Sequence, residues 1–155
     1  MLKIQIAKRA DGAGVLSCRR ADGTVTWQKQ TTRTAVHFAL HDLTHYAVER
    51  TLGYQRGFFG LIDEGWDIDD TTGKGARGAL PSEALEVESV VGMFDRERAS
   101  QSNWTAEEFN QYLPRTLTEK EMEAVRKCRA DLFQSWSEVM VGSTLELNWT
   151  KDNLS

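Results

Sequence analysis

Residues 36–53 read VHFALHDLTHYAVERTLG, and they carry all three histidines of the 155-residue chain. His37, His41, His45 and Glu49 recur at four-residue steps, with Asp42 beside them. At about 100° per residue, a helix gathers these five groups within an arc of about 140°. Phe38, Val48 and Leu52 share that arc, while Ala39, Leu40, Leu43, Tyr46 and Ala47 take the other side, where Arg50 is the only charge. A solvated helix face would carry Lys, Glu and Gln instead. The segment is therefore expected to be a helix that is apolar nearly all round, central and largely buried. Thr34 is placed to cap it, and Gly53 to stop it after about Thr51.

Outward from this helix, the chain divides cleanly. Leu2, Ile4 and Ile6 alternate with Lys3, Gln5 and Ala7, the period of a strand with one buried face. A turn at DGAG and a hairpin around Asp22-Gly23 follow, so residues 2–30 read as a three-stranded antiparallel meander in which Val25 and Trp27 share a face. After the helix, residues 53–81 contain seven glycines and read as a long Gly-rich loop with one short helical turn. Three further helices are expected. One opens at Ser82. Two more open at the capping boxes Thr105/Glu108 and Thr118/Glu121, separated by Pro114. The last carries Met122, Val125, Arg129, Leu132, Trp136, Val139 and Met140 at helical spacing and ends at Gly142. TLELNW then alternates as a closing C-terminal strand. The expected fold is α+β, a single domain over residues 1–155.

Hydrophobic content of 40% and charged content of 27% fit a globular chain rather than a disordered one. Net charge is −4, but residues 1–34 hold seven Lys/Arg against two acids. Charges on exposed strand faces are usually solvated, so nucleic acid is not expected as a partner. The chain lacks an apolar run of membrane-spanning length, and MLKIQIAKRADG lacks a signal-peptide core; a cytoplasmic location without membrane contact is expected. Cys18 and Cys128 lie far apart without metal or redox spacing and read as free thiols. DIDDTTG fails the calcium-loop pattern, because Thr72 and Gly78 stand where Gly and Glu are needed. TTGKGARG fits no phosphate-loop frame.

Three chemistries fit the histidine helix. Residues four apart sit about 6 Å from each other, so His41 and His45 can aim two ring nitrogens at one divalent cation, of which zinc is the natural example. HDLTH differs from the metallopeptidase pattern HExxH by Asp for Glu, which puts Asp42 in the place of the general base on a shorter arm. Glu49 is placed either to join the metal or to orient His45, and Asp63, Glu64, Asp67, Asp69 and Asp70 could complete the ligands. A metal-free acid–base cluster is the second chemistry, and histidines satisfied within a core polar network the third.

HDLTHYAVERTLGYQRGFFG, residues 41–60, resembles a family of small uncharacterised bacterial proteins carrying H-D-L-x-H-[YF]-x-V-E and then a Gly/Phe segment. A looser echo runs from Trp136 to Trp149. The matched positions are His41, Asp42, His45 and Glu49; His37 lies outside the motif, and the resemblance implies no particular activity. The function expected from the residues is metal-dependent hydrolysis of a small or peptide-like substrate. His41, His45 and Glu49 would form the metal set and Asp42 the base. The alternative is a non-catalytic interaction protein whose His/Asp/Glu cluster is structural and whose Trp-bearing sheet is the contact surface.

Overall fold

The computed structural model describes residues 1–28 and 35–151, so the Thr34 cap lies outside the described residues. Strands β1 (Leu2–Lys8), β2 (Gly14–Arg19), β3 (Val25–Trp27) and β4 (Thr144–Trp149) form one antiparallel sheet in the order β3-β2-β1-β4. Among the described residues, five helices complete the α+β fold: α1 (Ala35–Leu52), α2 (Phe58–Glu64), α3 (Ser82–Ser100), α4 (Ala106–Asn110) and α5 (Glu119–Glu138). No described helix is long and apolar enough to cross a membrane.

Register follows from the alternation. Ile4 sits opposite Cys18 on one side and Leu147 on the other, so one face of the sheet presents Leu2, Ile4, Ile6, Leu16 and Cys18 to the core. β3 turns Thr26 inward and leaves Val25 and Trp27 on the outer face, with Trp27 55% exposed. Helix α1 covers the inner face. Every residue from Asp42 to Glu49 is buried, because the sheet, α3 and α5 all pack against this one helix. Close approach needs Gly14 on β2: a Cβ there would stand 2.8 Å from Ile6 and 2.9 Å from Ala39. Only a residue without a side chain lets strand and helix meet at that point.

The two later capping boxes form as expected, with Thr105 accepting from the Glu108 amide and Thr118 from the Glu121 amide. Met122, Val125, Leu132 and Trp136 are the buried stripe of α5. Arg129 turns toward α3, and Met140, past the end of α5, is exposed.

The glycine-rich segment holds more structure than its composition suggests. It contains α2, seven residues with Phe59, Leu61 and Ile62 buried, and a 3-10 turn at Ile68–Thr72. Several glycines there are packing and capping positions rather than slack. A Cβ on Gly60 would strike the Gln55 carbonyl oxygen, and Gly65 ends α2 with φ of 117°. Arg20 from β2 ties this segment to the sheet, donating to the carbonyls of Ile62 and Trp66, both at 2.6 Å, and to the Asp67 carboxylate at 2.9 Å.

Candidate functional site

Helix α1 sets His41 and His45 one turn apart, their ring centroids 4.7 Å from each other and nearly perpendicular. Helix α3 runs alongside and brings a carboxylate to each. Nδ1 of His41 lies 2.6 Å from Asp95 Oδ2, and Nε2 of His45 lies 3.3 Å from Glu88 Oε1. Nδ1 of His45 meets Glu49 Oε2 at 3.2 Å, one helical turn further along. Both rings thus engage a carboxylate through Nδ1. That fixes their orientation, and Nε2 of His45 faces Glu88.

Nitrogen or oxygen donors of His41, His45 and Glu88 all lie within 4.8 Å of one another, a group that could hold a metal ion. Bonds of about 2.0–2.2 Å to a tetrahedral cation put its ligand atoms about 3.3 Å apart, the separation His45 and Glu88 already have. The widest pair would have to close by up to about 1.5 Å. His41 and Glu88 are partly exposed and have that freedom; His45 is fixed, its side chain 2% exposed.

Glu49 meets His45, as its four-residue spacing allows, and also reaches a second helix. Its carboxylate accepts hydrogen bonds from the backbone amides of Phe58 and Phe59 at 3.0 Å and of Gly60 at 3.4 Å. Helix α2 has no side-chain cap of its own at Gly57, so Glu49 supplies one from another helix. A Cβ on Gly57 would lie 2.5 Å from that carboxylate, hence the glycine. Glu49 therefore orients His45, and Glu88 is the third donor facing the pair. Glu88 and Asp95 carried no signal in the sequence beyond their spacing of seven, which puts two acids on one stripe of a helix.

Asp42 is 6% exposed and lines the same cavity, where it has no hydrogen-bond partner among the described residues. Burial pushes its carboxyl up to about 7, against the pull of the His41 and His45 charges. Burial works against charge on His45 as well, but its hydrogen bonds to Glu49 and Glu88 prevail and hold it up at about 10. Without an ion, Glu49 and Glu88 favour the charged imidazolium of His45, while burial raises the Glu49 carboxyl above its ordinary range. Burial would raise Glu88 and Asp95 too; their hydrogen bonds to His45 and His41 keep both below the usual carboxylate range.

The cavity over this group has a volume of about 230 Å³. Phe38, Phe58 and Ile68 form its apolar walls; Gln28, Thr71 and Thr72 add polar groups. The Phe58 ring centroid stands 5.2 Å from that of His45. Of the five acids in the glycine-rich segment, Asp69 lines the cavity. Glu64 pairs with Arg56 and Lys151, and Asp67 with Arg20. His37 is exposed at the start of α1. Cys18 is fully buried and its thiol pushed up to about 12, first by burial and then by the Asp42 charge, so it is no thiolate near neutral pH.

Comparison of the chain with family models, with curated proteins and with solved structures gives no match to any of them. What the site can do follows from its own chemistry.

Proposed function

We propose that this protein is a divalent-metal-dependent hydrolase of a small substrate, with His41, His45 and Glu88 holding a zinc-like cation. The observation that carries this reading is the paired support of the histidines: each Nδ1 is held by a carboxylate, while both rings and the third donor Glu88 line one cavity. Ligating histidines in metal sites are oriented in this way. The cation would polarise the scissile carbonyl or the attacking water. Asp42 lines the same cavity as both rings, buried and without a hydrogen-bond partner among the described residues, where it can take the proton released by water and return it to the leaving group. Glu49 keeps His45 in place and docks α2, whose Phe58 forms part of the cavity wall.

A second reading has an observation of its own. Both nitrogens of His45 already meet carboxylates, so the cluster can be complete as a core network with no cation. Metal analysis of protein purified without a histidine tag separates the two. The hydrolase reading expects about one zinc or similar ion per chain, lost in Glu88→Gln and His41→Ala, and ester or amide hydrolysis that disappears with it. Absence of stoichiometric metal, with these variants altering stability alone, would leave the structural network.

A further inference from the structure

The side of α3 turned away from the core carries Leu85, Glu88, Ser89, Arg96 and Ala99, all exposed, around Gly92. Glycine in mid-helix costs stability relative to alanine, so its use there needs a reason. Seven of the chain's twelve glycines have positive φ, and four others would meet a neighbour within 3 Å if given a Cβ. Gly92 does neither: it is helical, and a Cβ there would have nothing beyond its own helix within 4 Å. The fold of a single chain does not need this glycine. What a bare helix surface offers is close approach to a second helix, because side chains at the crossing set the distance between two axes.

A groove of about 340 Å³ opens at this point, lined by Glu88, Ser89, Gly92, Met93 and Arg96 of α3 and by Tyr112, which follows α4. Met93 is its buried floor. Tyr112 and, one turn along α3, Leu85 are large apolar side chains more than half exposed. Both charges in the groove are available to a partner. Arg96 has its guanidinium 3.9 Å from the Met93 sulfur and no carboxylate partner among the described residues. Glu88 meets His45 through Oε1, and its Oε2 has no partner among the described residues. Glu88 and Arg96 stand four residues to either side of Gly92, and Leu85 and Ala99 seven residues to either side. Two antiparallel α3 helices crossing at Gly92 therefore put each Arg96 opposite the partner's Glu88. They also put each Leu85 opposite the partner's Ala99, large against small. Such a surface is complementary to itself, as a twofold interface requires.

We infer that this face of α3 binds a second copy of the chain, with Gly92 at the crossing and an Arg96–Glu88 pair on each side of it. Each His41/His45/Glu88 group is then braced from across the interface, because the partner's Arg96 takes the Glu88 oxygen that His45 leaves over. The pairing does not rest on the hydrolase reading and holds in metal-free protein. One helix pair flanked by Tyr112 belongs with interfaces below about 1,200 Å², so the dimer is weak and reversible.

Sedimentation velocity of metal-stripped full-length protein at low salt, from about 2 to 200 µM, should show a monomer–dimer equilibrium with Kd below about 200 µM. Gly92→Gln fills the crossing point and should leave a monomer over that whole range. Its Tm should stay level or rise, as expected when a free helical glycine is replaced. Arg96→Glu sets like charges face to face and should raise Kd at least about tenfold. A chain that is monomeric throughout leaves the groove to some other occupant and overturns the inference. A dimer that either variant leaves unchanged has its interface elsewhere and overturns it too. A fall of several degrees in the Tm of Gly92→Gln would show that the fold itself needs the glycine, with the same result.

Discussion

Glu97 and Asp42 are both buried acids on helices that pack against each other, and they are treated in opposite ways. Glu97 on α3 is 1% exposed and accepts four hydrogen bonds: two from Arg126, one from Arg129 and one from the Trp104 amide, all within 3.1 Å. Asp42 on α1 is 6% exposed and accepts none among the described residues. The first is a closed joint between α3 and α5, with every group answered. The second is an open end, facing space. A carboxylate that lines a cavity with no protein donor on it among the described residues is a candidate for chemistry rather than for packing.

The sharpest way to break this contrast is to open the closed joint. Glu97→Ala leaves two arginine heads buried together without their anion and should cost about 3–5 kcal/mol. Urea denaturation should show that loss, with a fall in Tm of about 2–4 °C per kcal/mol for a chain of this size. Zinc affinity should not move, because Glu97 touches none of the candidate ligands. A loss below about 1 kcal/mol would mean that the arginines find other partners and the joint is not closed.

Next in size comes the support of the open site. Asp95→Asn keeps the shape of the side chain but weakens the hold on His41 Nδ1, and should lower zinc affinity about 10–100-fold with little change in stability. Competition with a chromophoric chelator reads this directly. If affinity is unchanged while stability falls by several kcal/mol, Asp95 belongs with Glu97, and the contrast between the two regions fails.

How much of this was legible in the sequence differs in the same way between the regions. The meander, the buried helix, the two capping boxes and the closing strand each rest on patterns local to one segment, and each is found in the structure. His41, His45 and Asp42 were legible for that reason: one helical turn of sequence places them together. Glu88 and Asp95 were not, because they reach the histidines through the packing of α3 on α1, about 50 residues away in the chain. Glu49 was half legible. Its contact with His45 follows from the four-residue spacing, but its capping of α2 depends on where a glycine-rich segment folds back. The composition of that segment points to a loop with one short helical turn and not to the seven residues of α2, since a glycine needed for close approach looks the same in sequence as one needed for flexibility.

The two clusters should also fail at opposite ends of the pH scale in metal-free protein. Burial would raise Glu97, but hydrogen bonds from Arg126 and the Trp104 amide hold it below its ordinary value of 4.5. Its stabilisation is therefore present above pH 4.5 and is lost as pH falls through the folded value. His45 has the reverse sign. Its folded value of about 10 lies above the ordinary 6.5, so its stabilisation by Glu49 and Glu88 is full below 6.5 and is lost as pH rises toward 10. Removing Glu97 should flatten the acid limb of a Tm–pH profile. His45→Gln should flatten the alkaline limb. An alkaline limb unchanged in His45→Gln would show that His45 is not charged in the folded protein.

The smallest effect is also the most discriminating. Asp42 is raised by burial from 3.8 to about 7, so the folded protein disfavours its charge and loses stability as pH rises across that range. Asp42→Asn removes that charge and keeps the volume. At pH 8, in metal-free protein, it should raise stability, by about 1 kcal/mol once the unpaired amide is allowed for, and the gain should vanish below pH 4. Hydrolysis by the metal-loaded protein should be lost in the same variant. A substitution that stabilises while it disables is the mark of a group kept at a cost for chemistry rather than for the fold. Destabilisation at pH 8 would mean instead that Asp42 has a partner holding its charge, and it would then stand beside Glu97 as a structural acid.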